Sequence, residues 1–169
     1  MKKTGVLFSL LLLSCSSKKH SDIIDIPIQK ECPLEGLCTL SVLNNKQLIL
    51  LKDDLGGLYY DIKENEGTTV IHYQHNKTTQ ANLQDGHYRE DVLFEIKTSD
   101  ESLNLSDVEL QQTKLIFGRH CFCKGQTGYF QINKGSLQLI QHSSLAFDLE
   151  FETEKVPQLI RRVSLPQKK

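Results

Sequence analysis

The segment "LAFDLEFE", Leu145 to Glu152, constrains the fold most. Leu145, Phe147, Leu149 and Phe151 alternate with Asp148, Glu150 and Glu152. Successive side chains of a β-strand point to opposite faces, so this period of two sorts apolar groups to one side and carboxylates to the other. A helix would scatter the same residues around its circumference. A chain with such a strand needs partners for its backbone and a second layer for its apolar face.

The rest of the sequence offers both. "TLSVL", Thr39 to Leu43, then the turn signal "NNK", then "QLILLK", Gln47 to Lys52, read as a hairpin. "DDLGG", Asp53 to Gly57, is the next turn, and "LYYDI" continues beyond it. "TTVIHYQH", Thr68 to His75, is β-branched and aromatic. "DG" at Asp85 and Gly86 precedes "HYREDVLFEIK", in which Val92, Phe94 and Ile96 share a face. "KLIFGRHCFC", "GYFQIN" and "SLQLI" follow with short polar turns between them. In "IIDIPI", Ile23 to Ile28, Pro27 suits an edge strand and not a central one. One segment breaks the rhythm. "LSDVELQQ", Leu105 to Gln112, has Ser106 three residues before Glu109, a capping-box spacing that predicts one short helix packed by Val108 and Leu110. The expected fold class is all-β: an antiparallel β-sandwich or small β-barrel with one short helix. No long internal repeat points to a propeller or solenoid. The charged face of Asp148, Glu150 and Glu152 argues against a transmembrane barrel of this size.

The N-terminus, "MKKTGVLFSLLLLSCSSKK", has a positive start at Lys2 and Lys3, an apolar run from Val6 to Leu13, and a small residue, Ser14, before Cys15. This is the layout of a secretory signal, and the run is shorter than the ~20 residues that span a bilayer as a helix. "LLSC", Leu12 to Cys15, resembles the bacterial lipobox. The resemblance implies cleavage before Cys15 and a thioether-linked diacylglyceride on it, usually with a further amide-linked chain. Two or more acyl chains hold a protein on a membrane where one does not. Ser16 and Ser17 follow the cysteine, where an aspartate or an acidic run would imply inner-membrane retention or surface export. The outer membrane facing the periplasm is the expected address. The mature chain is similar in style to small lipoproteins of Flavobacterium-like Bacteroidota, a likeness that brings no activity with it. The expected organisation is a signal peptide at 1–14, a lipidated tether at 15–31, one β-rich domain at 32–165 and a basic tail at 166–169.

Removing residues 1–14 leaves 155, enough for one domain with a real core. It also leaves 18 basic against 21 acidic side chains, a net charge of −3. That balance argues against a nucleic-acid binder, which concentrates basic charge. The basic pairs Lys18/Lys19, Arg161/Arg162 and Lys168/Lys169 lie near the ends and read as solvated. The membrane, through the acyl chains on Cys15, and another envelope protein are the expected partners.

Catalytic spacings are missing: there is no G-x-S-x-G elbow, H-E-x-x-H helix, Walker loop or G-x-G-x-x-G. No residue is assigned a catalytic role, and no cofactor or metal is implied. "GQTG", Gly125 to Gly128, reads as a hairpin turn, and "DDLGG" lacks the spaced oxygen ligands of a calcium loop. His72, His75, His87, His120 and His142 are scattered, and His72 and His75 point to opposite faces of a strand.

With Cys15 taken by lipid, Cys32, Cys38, Cys121 and Cys123 remain, and four cysteines in an exported domain read as disulfide candidates. On an extended strand Cys121 and Cys123 would have Cα atoms roughly 6.6 Å apart, at the far edge of what a disulfide accepts. They would also face one side together, so the expected pairing ties them to Cys32 and Cys38. Each such bridge closes more than eighty residues, worth roughly 4–5 kcal/mol for the first one formed. The rival readings are a four-cysteine zinc site, disfavoured in an oxidising compartment, and a strained Cys121–Cys123 redox pair. A catalytic Cys121 with His120 is weaker still, because neighbours on a strand point apart. The expected function is a membrane-anchored binding or structural module. The alternatives are a carrier of a small hydrophobic ligand and a thiol oxidoreductase using Cys121 and Cys123.

Overall fold

The computed structural model describes residues 23–28, 32–79, 85–99, 102–142 and 144–167. Ten strands and one short helix make two antiparallel sheets: β1 (Ile23–Ile28), β2 (Gly36–Lys52), β3 (Leu58–Lys77), β4 (Tyr88–Lys97), β5 (Ser102–Ser106), β6 (Ile116–Cys121), β7 (Gly128–Gln131), β8 (Gly135–Ile140), β9 (Ala146–Phe151) and β10 (Arg162–Leu165). The larger sheet runs β1-β2-β3-β4-β6-β7 and the smaller β10-β9-β8-β5. The chain is therefore all-β, with a 3₁₀ helix at Asp107–Thr113.

The alternating strand behaves as its pattern requires. Phe147, Leu149 and Phe151 of β9 are buried, while Glu150 is exposed. They pack across the space between the sheets against Val92, Phe94 and Ile96 of β4, with the Phe94 and Phe147 rings edge to face at 5.3 Å. The helix begins where the capping box places it. The Glu109 side chain accepts the Ser106 backbone N–H at 3.1 Å. Leu110 is buried and Val108 is exposed, so only one of the two expected apolar residues packs.

The larger sheet has a second core on its other face. β2 and β3 are long enough to curl over, and Leu58 of β3 pairs with Tyr129 of β7. That contact closes β3, β4, β6 and β7 into a small barrel, so sandwich and barrel are both present. Leu48, Val70, Leu93 and Ile116 are fully buried inside it. Lys114 clamps the curl from outside the sheet, donating to the Leu48 carbonyl and to Glu95, each at 2.8 Å.

One expectation needs correction. "NNK" is not a hairpin turn. β2 runs straight through it, with a register shift between Asn44 and Lys46 where Asn45 adopts φ 56°. Asn45 of β2 and residues 65–68 of β3 stand outside their shared ladder, side-chain parity flips along β2, and Leu48 can enter the barrel core although Val42 faces the sandwich core. The segment read as an edge strand forms one. Ile23–Ile28 is β1, in six-residue register with Leu43–Cys38, and Ile26 and Ile28 pack on the main core. Pro27 sits on this edge strand, as its missing N–H demands.

Candidate functional site

Both cysteine pairs close locally. Cys32 bonds Cys38 with Cα atoms 5.7 Å apart, and Cys121 bonds Cys123 with Cα atoms 5.2 Å apart. The expected long-range pairing is overturned. Its premise was an extended chain through Cys123, but β6 ends at Cys121 and Phe122 is a bend. The bend shortens the Cα separation and turns the second sulfur back toward the first. A turn closed by the Gln126 N–H on the Cys123 carbonyl follows.

The two bridges nevertheless lie at one end of the larger sheet. Cys38 pairs with His75, His75 with Glu90 and Glu90 with Arg119, and Cys121 is two residues beyond Arg119. The two loops and the start of strand β2 there expose Leu34, Leu37 and Phe122, the last with 82% of its surface in solvent. An open cleft of about 420 Å³ runs beside them, lined by Lys77, Thr78, His87, Tyr88, Phe122 and Cys123 among others.

Cross-strand register builds a buried polar row on the sandwich face of this end. Glu90 is fully buried. Its carboxylate accepts the Leu159 N–H at 2.8 Å and the Ile160 N–H at 2.8 Å, and the Tyr88 hydroxyl donates to it. One carboxylate thus pins the segment before β10 to the larger sheet. Arg119 donates to the Gln126 side chain at 2.8 Å and stacks on the Tyr88 ring. His75 is fully buried, and neither ring nitrogen has a hydrogen-bond partner. Burial lowers its proton affinity, against the pull of Glu90.

The opposite face of β4 carries a second constellation, centred on Asp91. Its carboxylate is 1% exposed and gathers five groups. Gln74 donates to Oδ1 at 3.0 Å, and His72 Nε2 lies 3.1 Å from the same oxygen. Arg89 Nε donates to Oδ2 at 3.0 Å, the Tyr129 hydroxyl donates at 3.3 Å, and His120 Nε2 lies 3.1 Å away. Gly118 makes room for this: a Cβ there would stand 2.4 Å from the Tyr129 ring. Burial alone would raise the Asp91 carboxyl, but the close approach of His120 and the hydrogen bonds of His72 and Gln74 outweigh it and hold the group far below the usual carboxylate range. Burial, and then the Asp91 charge, push the Tyr129 hydroxyl well up. An ionised carboxylate offers about four lone-pair directions. Five neighbours saturate it, so it binds strands together and keeps no basicity for a substrate.

Cys15 lies outside the described residues. The structure brings Cys32 and Cys38 together with His75, and His72 and His120 together at Asp91; His87 lines the cleft and His142 is exposed. Asp91, Glu90 and Arg119 carry these arrangements and were not singled out in the sequence. The signal for them was "YRED" leading straight into the apolar "VLF" of one strand, because charges there must be paired if the strand is covered on both faces. Among the described residues no helix is long and apolar enough to cross a membrane. Comparison of the chain with protein families, with curated proteins and with solved structures finds no match.

Proposed function

We propose that this is a lipid-anchored envelope module that binds another envelope component through its doubly stapled end and catalyses no reaction. The anchor is Cys15, and the site of residence is the periplasmic face of the outer membrane. The observation that carries the reading is the placement of the two ends of β1. Ile23, eight residues after the lipidated cysteine, pairs with Leu43, whereas Ile28 pairs with Cys38. The anchor therefore joins the domain at the end opposite the two disulfides, and the stapled loops face away from the lipid. Their exposed Leu34, Leu37 and Phe122 are apolar groups where solvent would favour polar ones. Disulfides hold those loops in shape, which lowers the ordering cost of docking.

A carrier of small hydrophobic ligands would need an apolar interior cavity. Phe94, Phe117, Phe147 and Phe151 occupy the space between the sheets, which favours the docking reading. The test is a photocrosslinking amino acid placed at Phe122 or at Glu66, near the start of β1, in intact cells. A discrete adduct from position 122 and none from 66 is expected. Equal adducts from both, or none from 122, would refute the proposal.

A further inference from the structure

Cys32, Cys38 and His75 meet although the third lies 37 positions beyond the second in the sequence. Their sulfurs and one ring nitrogen of the histidine lie within 4.8 Å of one another. We propose that Cys32, Cys38 and His75 form a zinc site when the Cys32–Cys38 bridge is reduced.

The histidine is the first ground. Burying a polar ring without partners is costly. His75 is fully buried, and both of its nitrogens are unpartnered. Its Nε2 faces the loop that the disulfide closes: a Cβ on Gly36, between the two cysteines, would stand 2.2 Å from it. A cation at that point would give the ring the partner it lacks. Burial also keeps the imidazole neutral, the form that ligates metal.

Geometry is the second ground. Zinc takes sulfur at ~2.3 Å and imidazole nitrogen at ~2.0 Å, so tetrahedral ligand atoms stand under ~4 Å apart. Cys38 and His75 are register partners on β2 and β3 and are fixed by the sheet. Cys32 lies on the turn before β2 and is only half-buried, so it can swing away from Cys38 as the ion enters. Glu90, the next residue across from His75, is committed to the Leu159 and Ile160 N–H groups and supplies no ligand. The fourth position opens on the Cys32 side and takes water.

Charge is the third. Two thiolates and a divalent cation sum to zero, whereas a monovalent ion would leave a buried negative charge. The step balances with an external dithiol as reductant. Its two electrons and two protons break the Cys32–Cys38 bond and leave two thiols, while it becomes a disulfide. Zinc binding then releases both thiol protons.

The test uses the full chain carrying Cys15→Ser, Cys121→Ser and Cys123→Ser, reduced anaerobically and freed of reductant, with Co²⁺ as the spectroscopic probe. One equivalent should bind with the intense visible bands of a tetrahedral site and a thiolate charge-transfer band, and Zn²⁺ should displace it. Cys38→Ser should at least halve the charge-transfer band and the double variant Cys32→Ser/Cys38→Ser should abolish it, and His75→Leu should weaken binding at least tenfold. The oxidised protein should bind none. X-ray absorption of the zinc-loaded protein needs no further variant and should show two sulfurs with an imidazole. An oxygen-and-nitrogen shell alone, binding by the oxidised chain, or unchanged affinity in His75→Leu would each overturn the site.

Discussion

Asp91→Asn keeps the shape of the side chain and removes the charge that five neighbours share. It also points an amide N–H₂ at groups that are themselves donors. Breaking a buried, hydrogen-bonded ion cluster costs roughly 3–5 kcal/mol, and urea denaturation at pH 7 should show a loss in that range. The pH dependence has a definite sign. The folded-state affinity of Asp91 for protons is depressed, so its contribution is complete above the unfolded value of about 4 and fades as pH falls toward the lower folded value. The gap between wild type and variant should narrow as pH falls below about 4. The cluster was hidden in the sequence for a physical reason. His72, Gln74, His120 and Tyr129 reach Asp91 from other strands through register, which no local spacing encodes; only Arg89, two residues before it on β4, is a local neighbour. The separation of His72 from His75 was readable, because it needs only the alternation of a single strand.

Among the elements, those decided by local chemistry were legible: the face of β9, the shared face of Val92, Phe94 and Ile96, the capping box, and Pro27 on an edge. The two misread elements are places where one local signal serves two outcomes. Asparagine favours positive φ both in hairpin turns and in bulges, and only the pairing of β2 with β3 along its whole length selects the bulge. Asn45→Val should therefore cost about 1–2 kcal/mol in urea denaturation, since a β-branched residue resists φ 56°. Asn45→Gly should be neutral within about 0.5 kcal/mol. The cysteine pairing turned on where β6 stops. Trypsin cuts after Lys30 and Lys46 and after Arg119 and Lys124, so each local bridge lies within one peptide. A non-reduced digest should contain Glu31–Lys46 and His120–Lys124 as separate species, each lighter by two hydrogens. A peptide joining the two would restore the long-range pairing.

At the scale of the molecule, two cores share one sheet, and the first residue of β1 lies at the pole opposite the stapled end. Cys15→Ala should move the protein wholly from the membrane to the soluble envelope fraction, with the sheet signal in circular dichroism unchanged. Retention on the membrane would remove the lipid anchor from the proposal. The short reach of the bridges has a consequence for how the protein matures. The partners are six and two residues apart, so the correct thiols are each other's nearest neighbours even in the unfolded chain. Closing a loop of about ten residues takes roughly 10–100 ns, whereas sheets built on distant pairings assemble in milliseconds to seconds. Here Leu58 must find Tyr129, and Glu90 must find Leu159 and Ile160. Oxidation can then precede assembly of the sheets, with no shuffling among wrong partners and no dependence on the order in which the strands arrive.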